Sequence, residues 1–328
     1  NPTAANYHAN LSSIHYTLDQ DGLAKSHANV AIKFNPDISE AHDILGHISF
    51  SEGNTIQSLT SFKRSLDLDP NDQKVWSNYL FAFNFSRKSN PKDIFKINRK
   101  WGKLIEKEIK VEPLFKNKKS SNRRLKLAYY LPELDRHVTV RYLKPILTGH
   151  DKVKFELFGY GNRIDKTPPP PDFINLFDHW IDINGLEVTE IAELMRSEQI
   201  DILLHPCTFK SRYRILLAYR AAPIQVACTN LVSTTGLIAT DYLITDNFIS
   251  PIGSSDVVYT EKLIRLSSFN IYQQFTELSR VGSLPTQKNG FITFGSFNNI
   301  AKINPEVITT WAKILKETPN SRLLLKHR

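Results

Sequence analysis

Cysteine is scarce in this chain: Cys207 and Cys228 are the only two in 328 residues. Two thiols make neither a disulfide framework nor a metal-ligand cluster, so reduced thiols in the cytoplasm are the expectation. No stretch approaches 18 consecutive apolar residues, and no membrane span is expected. No secretory signal opens the sequence, although it begins Asn1-Pro2 without Met, which leaves room for a removed segment. Acidic residues are in deficit, 33 against 42 Lys and Arg, for a net charge of +9. The excess is scattered, which speaks against a nucleic-acid binder. The one dense cluster, Lys116-Asn-Lys-Lys-Ser-Ser-Asn-Arg-Arg124, reads as a charged linker between domains. A solvated surface explains the remaining excess plainly; an anionic partner, a nucleotide diphosphate or an acidic protein, is the sharper reading.

What is abundant excludes global disorder. Hydrophobic residues make up 41%, with 19 Phe, 12 Tyr and 4 Trp, enough for two or three domain cores at this length. The first of these is a repeat array. Pro36 and Pro70 stand 34 residues apart in matching phrases, Ala31-Ile-Lys-Phe-Asn-Pro-Asp37 and Ser65-Leu-Asp-Leu-Asp-Pro-Asn71. Thirty-four is the tetratricopeptide period. In that register Leu45-Gly46 falls at the small-residue site of a first helix, and Phe62 and Ser65 fall where a second helix packs. Leu11-Ser12, Ala24, Ala28 and Ala31 take the equivalent places one period earlier, and Trp76 and Tyr79 open a third unit. A lone helical hairpin cannot bury its apolar face, so such units stack. The array is expected to extend before Asn1 or to be capped by the following lobe. An amphipathic helix over 93–107, with Ile94, Ile97, Trp101, Leu104 and Ile105 on one face, is expected to bridge the repeats to the next domain.

The period then changes. Apolar runs at 124–131, 155–160, 179–183, 200–204, 224–227 and 242–245 predict strands, and 138–147, 187–197 and 214–221 predict helices; 168–171 predicts a loop. Strand and helix in alternation predict a parallel α/β sheet. Ligands gather beyond the C-terminal ends of such strands. The candidates there are 132–137, Gly161-Asn162, 205–210 (with His205 and Lys210), 230–235 and Asp246.

The order of several phrases resembles the O-GlcNAc transferase and SPINDLY family. Leu125-Lys-Leu-Ala-Tyr-Tyr-Leu-Pro-Glu-Leu-Asp-Arg-His137 resembles its opening strand and His-bearing loop. Arg220-Ala-Ala-Pro-Ile-Gln-Val226, Ser233-Thr-Thr-Gly236, Asp241-Tyr-Leu-Ile-Thr-Asp246 and Tyr259-Thr-Glu-Lys-Leu263 resemble phrases that follow in the family. Phe291-Ile-Thr-Phe-Gly-Ser-Phe-Asn-Asn-Ile-Ala-Lys302 and the stretch 311–322 resemble the opening of its second lobe. Each phrase is weak alone, but together they cover nearly the whole chain in order.

The resemblance implies an α + α/β chain: tetratricopeptide helical repeats, then the Rossmann-like parallel lobe of a GT-B glycosyltransferase. It divides the chain into repeats at 1–88, a linker helix at 89–122, the first catalytic lobe at 123–285 and the beginning of the donor-binding lobe at 286–328. The implied member is divergent and bacterial-type. The implied reaction is inverting transfer of GlcNAc, or a related sugar, from UDP-GlcNAc or a similar nucleotide-sugar to Ser or Thr of proteins recruited by the repeats. No metal or other cofactor is implied, because protein cations and helix N-termini stabilise the leaving diphosphate. Oligomers are compatible with this reading.

His137 matches the family's loop histidine and would orient or deprotonate the acceptor; a structural hydrogen bond is its plain alternative. Lys302 matches the lysine that contacts the donor diphosphate, and Asn299 falls at a donor-binding amide. Thr234, Thr235 and Gly236 fall at a cleft turn as donor-binding candidates, against ordinary turn chemistry. Arg220 and Gln225 read as structural. Two family phrases are missing. A Gly-His-Thr type phrase is replaced by His205-Pro-Cys-Thr-Phe-Lys210, and a Gly-Tyr-Pro phrase by Asn230-Leu-Val-Ser233. Those losses motivate a second reading, a catalytically degenerate homologue serving as a protein-binding, regulatory module. Most of the donor pocket is expected beyond Arg328.

Overall fold

The computed structural model describes residues 2–87, 89–110, 113–120, 122–132, 134, 138–162, 169–206, 211–228, 233–268 and 280–326. His137 and Lys210 lie outside these residues. Helices come first: α1 (Pro2–Thr17), α2 (Asp21–Phe34), α3 (Ser39–Ser51), α4 (Thr55–Leu68), α5 (Gln73–Phe83) and α6 (Pro91–Glu108). Strands and helices then alternate as β1 (Leu125–Leu131), α7 (Val138–Thr148), β2 (Phe155–Gly161), α8 (Pro171–Ile174), β3 (His179–Asp182), α9 (Val188–Ser197), β4 (Ile202–Pro206), α10 (Ser211–Ala218), β5 (Ile224–Cys228), β6 (Tyr242–Asp246) and β7 (Lys262–Leu266). The series closes with α11 (Pro285–Asn289), β8 (Thr293–Ser296), α12 (Pro305–Glu317) and β9 (Arg322–Leu325). Two compact units result, Asn1–Ser89 with Phe275–Arg328, and Asn90–Gln274.

In the first unit the helical hairpins recur at the spacing the prolines announce. α2 begins at Asp21 and α4 at Thr55; α3 begins at Ser39 and α5 at Gln73. The connecting turns repeat too: the Asp37 amide donates to Asn35 Oδ1 at 3.0 Å, and the Asn71 amide to Asp69 Oδ1 at 3.2 Å. Asp72 then caps α5 by accepting from the Lys74 and Val75 amides. Small side chains let the helices approach: Ala5, Ala9, Ala28, Ala31 and Ala41 form one buried cluster with Ile38. At Gly46 the Phe62 ring occupies the space of a side chain, 2.5 Å from where a Cβ would lie. The same unit holds a βαβ element, with β8 and β9 parallel and paired from Thr293↔Arg322 to Ser296↔Leu325.

In the second unit seven parallel strands stand in the order β3-β2-β1-β4-β5-β6-β7. The expected parallel sheet is present, with α7, α9 and α10 near the predicted segments. Three details differ from the sequence reading. α8 begins at Pro171, because proline's fixed φ suits the first turn of a helix. α10 runs from Ser211 only to Ala218, and Arg220 (φ 50°) turns the chain out of the helix. β7 adds an edge strand whose exposed–half-buried alternation hid it from a search for buried runs.

The core gathers around Leu127, Tyr129 and Leu131 of β1, Leu143 and Leu147 of α7, and Phe173 and Phe177. The basic cluster after α6 is tied to the sheet. Arg123 grips Asp201 with two bonds of 2.7 and 2.6 Å, and Arg124 pairs with Asp178 at 2.9 Å.

α6 belongs to this unit. Trp101 is fully buried, and the helix touches the backbone at Gly236, where a Cβ on Gly102 would sit 2.0 Å from the Gly236 carbonyl oxygen. Gly102→Ala should therefore destabilise the chain by about 1–3 kcal/mol through overpacking. Gly22→Ala, at the exposed start of α2 with nothing within 4 Å of its Cβ position, should be neutral or stabilising by up to about 1 kcal/mol. Thermal unfolding of the two variants beside the parent chain checks both signs.

Candidate functional site

The order of the sheet places its switch point between β1 and β4, where successive connections leave in opposite directions. Ligand-binding loops of doubly wound sheets lie at the C-terminal edge there. Of the seven strand ends on that edge, Leu131, Pro206, Cys228 and Asp246 close β1, β4, β5 and β6.

His205 is the penultimate residue of β4 and is 1% exposed. Its ring lies 5.5 Å from that of Tyr130 on neighbouring β1. Burial first, and the Arg214 guanidinium second, push its pKa down to about 3, against a weaker opposing effect of the Tyr213 backbone. The imidazole is therefore neutral at physiological pH, and neither of its ring nitrogens has a hydrogen-bond partner among the described residues.

Arg214, on α10, is fully buried. Its Nη1 donates to Asn98 Oδ1 at 2.9 Å and to the Thr235 carbonyl at 3.2 Å, and its guanidinium stacks 4.3 Å over the Trp101 ring. Both Asn98 and Trp101 are on α6. A cation this deep is stabilised by the aromatic face beneath it and by the charge-assisted hydrogen bonds of Nη1.

The segment Thr234, Thr235, Gly236 forms a turn held from two sides. From beneath, the buried Glu261 carboxylate accepts from the Thr234 hydroxyl at 2.7 Å, the Thr235 amide at 2.6 Å and the Thr235 hydroxyl. From α6, Arg99 Nη1 donates to the Gly236 carbonyl at 2.9 Å, and Glu106 accepts from the Ile238 amide at 2.6 Å. Gly236 has φ 78°, and a Cβ there would meet the Asn98 carbonyl at 2.3 Å, so no other residue fits. The two hydroxyls are thus committed to an internal carboxylate, and the turn presents a fixed backbone.

Asp246 ends β6 and accepts from the Phe248 and Ile249 amides at 2.9 and 2.8 Å, which fixes the loop that follows. Arg220 and Gln225 hold the neighbouring corner, as their sequence context suggests: Arg220 donates to the Ala239 carbonyl and to Asp241, and Gln225 bridges the Leu217 and Ala239 carbonyls. Asn299 and Lys302 belong to the other unit. Asn299 caps the short helical turn 300–302 by accepting from the Ala301 amide at 2.9 Å, and Lys302 ends that turn exposed.

The structure thus brings Thr234, Thr235 and Gly236 together with Glu261, Arg214, Asn98 and Trp101. The last four were not singled out for chemistry by the sequence; each acts on a partner far away in the chain. Among the described residues no group of three or more His, Cys, Asp or Glu is arranged to hold a metal, and no helix is long and apolar enough to cross a membrane.

Comparison with known proteins adds to this geometry. The family model described as Glycosyl transferase family 41 matches residues 96–281. The "Probable UDP-N-acetylglucosamine--peptide N-acetylglucosaminyltransferase SPINDLY" of Oryza sativa subsp. japonica is 32% identical over 274 residues, covering 82% of this chain and 29% of that protein. Its counterpart from Hordeum vulgare is 34% identical over 266 residues, covering 79% and 28%. A solved mutant of the Thermobaculum terrenum O-GlcNAc transferase superimposes with a TM-score of 0.84 at 29% identity, over 98% of this chain and 61% of that one. The chain spans less than a third of the length of these curated relatives.

His205 gives the site a pH signature. The folded chain holds this imidazole unprotonated down to about pH 3, whereas the unfolded chain protonates it near 6.5. Its contribution to stability is complete above pH 6.5 and declines as the pH falls towards 3, at up to about 1.4 kcal/mol per unit. Near pH 5 the loss is about 2 kcal/mol. Denaturant titrations of the parent and His205→Leu at pH 7 and pH 5 should show a drop smaller by roughly that amount in the variant; equal drops would contradict the burial described.

Proposed function

The chain belongs to glycosyl transferase family 41, and we propose that it acts as part of a protein O-glycosyltransferase. In this reading the enzyme moves GlcNAc or a related sugar from a nucleotide-sugar, UDP-GlcNAc in the first instance, to Ser or Thr hydroxyls of proteins. The helical hairpins before α6 recruit the acceptor, and the reaction takes place in the cytoplasm. The observation that carries the reading is the family match, which runs from α6 through β7 over a doubly wound sheet of the nucleotide-binding order.

Transfer to a hydroxyl asks for two things: removal of the acceptor proton and neutralisation of charge growing on the leaving diphosphate. His137 is assigned the first task, orienting the acceptor hydroxyl and taking up its proton as the glycosidic bond forms. Lys302 is assigned the second, with its ammonium as a point charge on the diphosphate and Asn299 beside it as a donor amide. The turn at Thr234 to Gly236 is assigned a framework role, since its hydroxyls already serve Glu261.

Incubation of the full-length protein with radiolabelled nucleotide-sugars and a Ser/Thr peptide library should give labelled peptide. Neither transfer nor donor hydrolysis with any sugar would sink the proposal. Lys302→Ala should weaken donor binding by about 1–3 kcal/mol, the usual cost of removing a hydrogen bond to a charged group. His137→Ala should lower kcat more than it weakens donor binding. Unaltered kinetics in both variants would dismiss the residue assignment while leaving the reaction class standing.

A further inference from the structure

Two Asn–Gly steps occur in the chain, Asn184-Gly185 and Asn289-Gly290, and all four residues are exposed. Asparagine is a labile residue. Before glycine it carries a latent reaction: the glycine's main-chain nitrogen attacks the carboxamide of the preceding side chain and closes a five-membered ring. Glycine favours the attack because it has no side chain in the way and its backbone turns easily. At both glycines nothing lies within 4 Å of where a Cβ would stand, so crowding does not separate the two sites. What separates them is whether the attacking nitrogen is held.

Asn289 ends α11, and the Gly290 amide donates to the Thr286 carbonyl at 2.8 Å. That nitrogen can attack only after the helix end opens. Asn184 lies instead in the turn between β3 and α9. The Leu186 amide donates to the Ile183 carbonyl at 3.2 Å and closes this turn, with Gly185 (φ 80°) at its third position. The Asn184 amide is anchored on Asp182 Oδ1 at 2.9 Å. The Gly185 amide, by contrast, has no hydrogen-bond partner among the described residues, and neither has the Asn184 carboxamide. Nucleophile and target are thus adjacent, exposed and uncommitted.

We propose that Asn184 is a site of spontaneous self-modification, converted through a cyclic imide with Gly185 to an aspartyl or isoaspartyl link. A solvent base takes the Gly185 amide proton as the nitrogen bonds to Asn184 Cγ. The Cγ–Nδ2 bond breaks, and Nδ2 leaves as ammonia with a proton from solvent. Water then opens the ring. Cleavage between the Gly185 nitrogen and Cγ gives aspartate; cleavage between that nitrogen and the main-chain carbonyl carbon of residue 184 gives isoaspartate. Either product adds a carboxylate to a segment that already holds Asp182 and the capping pair Glu187 and Glu190 at the start of α9. The isoaspartyl form also lengthens the main chain by a methylene inside the turn, which displaces the bond from Leu186 to Ile183. The mark therefore acts on the β3–α9 connection at the C-terminal edge of the sheet. It does not rest on the sugar-transfer reading, since the chemistry needs neither donor nor acceptor.

The test is incubation of the full chain at mildly alkaline pH, with samples digested over time. Tandem mass spectrometry follows the amide-to-acid mass gain at each site, and enzymatic carboxyl methylation counts isoaspartyl groups. In the folded chain Asn184 should convert several-fold to about tenfold faster than Asn289, the range of protection that one main-chain hydrogen bond gives. In denaturant, where both glycine amides are free, the two rates should come together. Asn184→Gln, which would have to close a less favourable six-membered ring, should remove the isoaspartyl signal from that peptide, with circular dichroism showing the variant folded. The comparison of the two sites in the parent chain stands without the variant. An Asn184 that stays intact overturns the proposal. So do equal rates at the two sites in the folded chain, or the same ratio of rates in denaturant.

Discussion

The second unit depends on one close approach, between α6 and the turn at Gly236. Two glycines permit it. At Gly102 a methyl group would strike the Gly236 carbonyl, and at Gly236 a methyl group would strike the Asn98 carbonyl. Because the backbones come so near, α6 can reach across with Arg99 and Glu106 to the turn's own carbonyl and amide groups, and with Asn98 and Trp101 to the guanidinium of Arg214. A buried arginine would otherwise be costly. Here it is held by a cation–π contact and two acceptors, and in return it fixes α10 against both α6 and the turn.

The arrangement separates framework from chemistry at the edge of the sheet. Glu261 consumes both hydroxyls and one amide of the turn, and Asp246 is occupied by the amides of its own loop. His205 is held neutral by its surroundings. What these residues contribute is position: a rigid set of strand ends around a switch point, from which neighbouring loops can act. The family match across this same stretch is consistent with such a division, since related enzymes can vary their loops without disturbing the frame.

Most of the fold was legible in the sequence, and the exceptions have physical causes. The 34-residue offset was visible because each hairpin ends on an Asx–Pro turn that is itself a local structure, as Asn35–Asp37 and Asp69–Asn71 demonstrate. β1, β2, β4 and β5 were visible because strands covered on both faces read as continuous apolar runs. β7 was hidden because an edge strand is apolar only on alternate residues. α8 was hidden because proline signals both loops and helix starts. At the site, Arg220 and Gln225 make the local hydrogen bonds that a corner at Ala-Pro asks for. Glu261, Arg214 and Asn98 carried no such signal: the partner of Arg214 on α6 is 116 residues away, and nothing near Asn98 announces it.

The bond from Arg99 to the Gly236 carbonyl joins residues 137 apart in sequence. During synthesis α6 leaves the ribosome long before its counterpart exists, so Trp101 and the bare backbone at Gly102 remain uncovered while all of β1 to β5 is made. Loop closure of that length is slow compared with pairing of successive strands. The lobe consequently cannot lock until the residues up to Glu261 have emerged, and a nascent chain arrested before that point would expose an indole and a helix flank to chaperones or to aggregation.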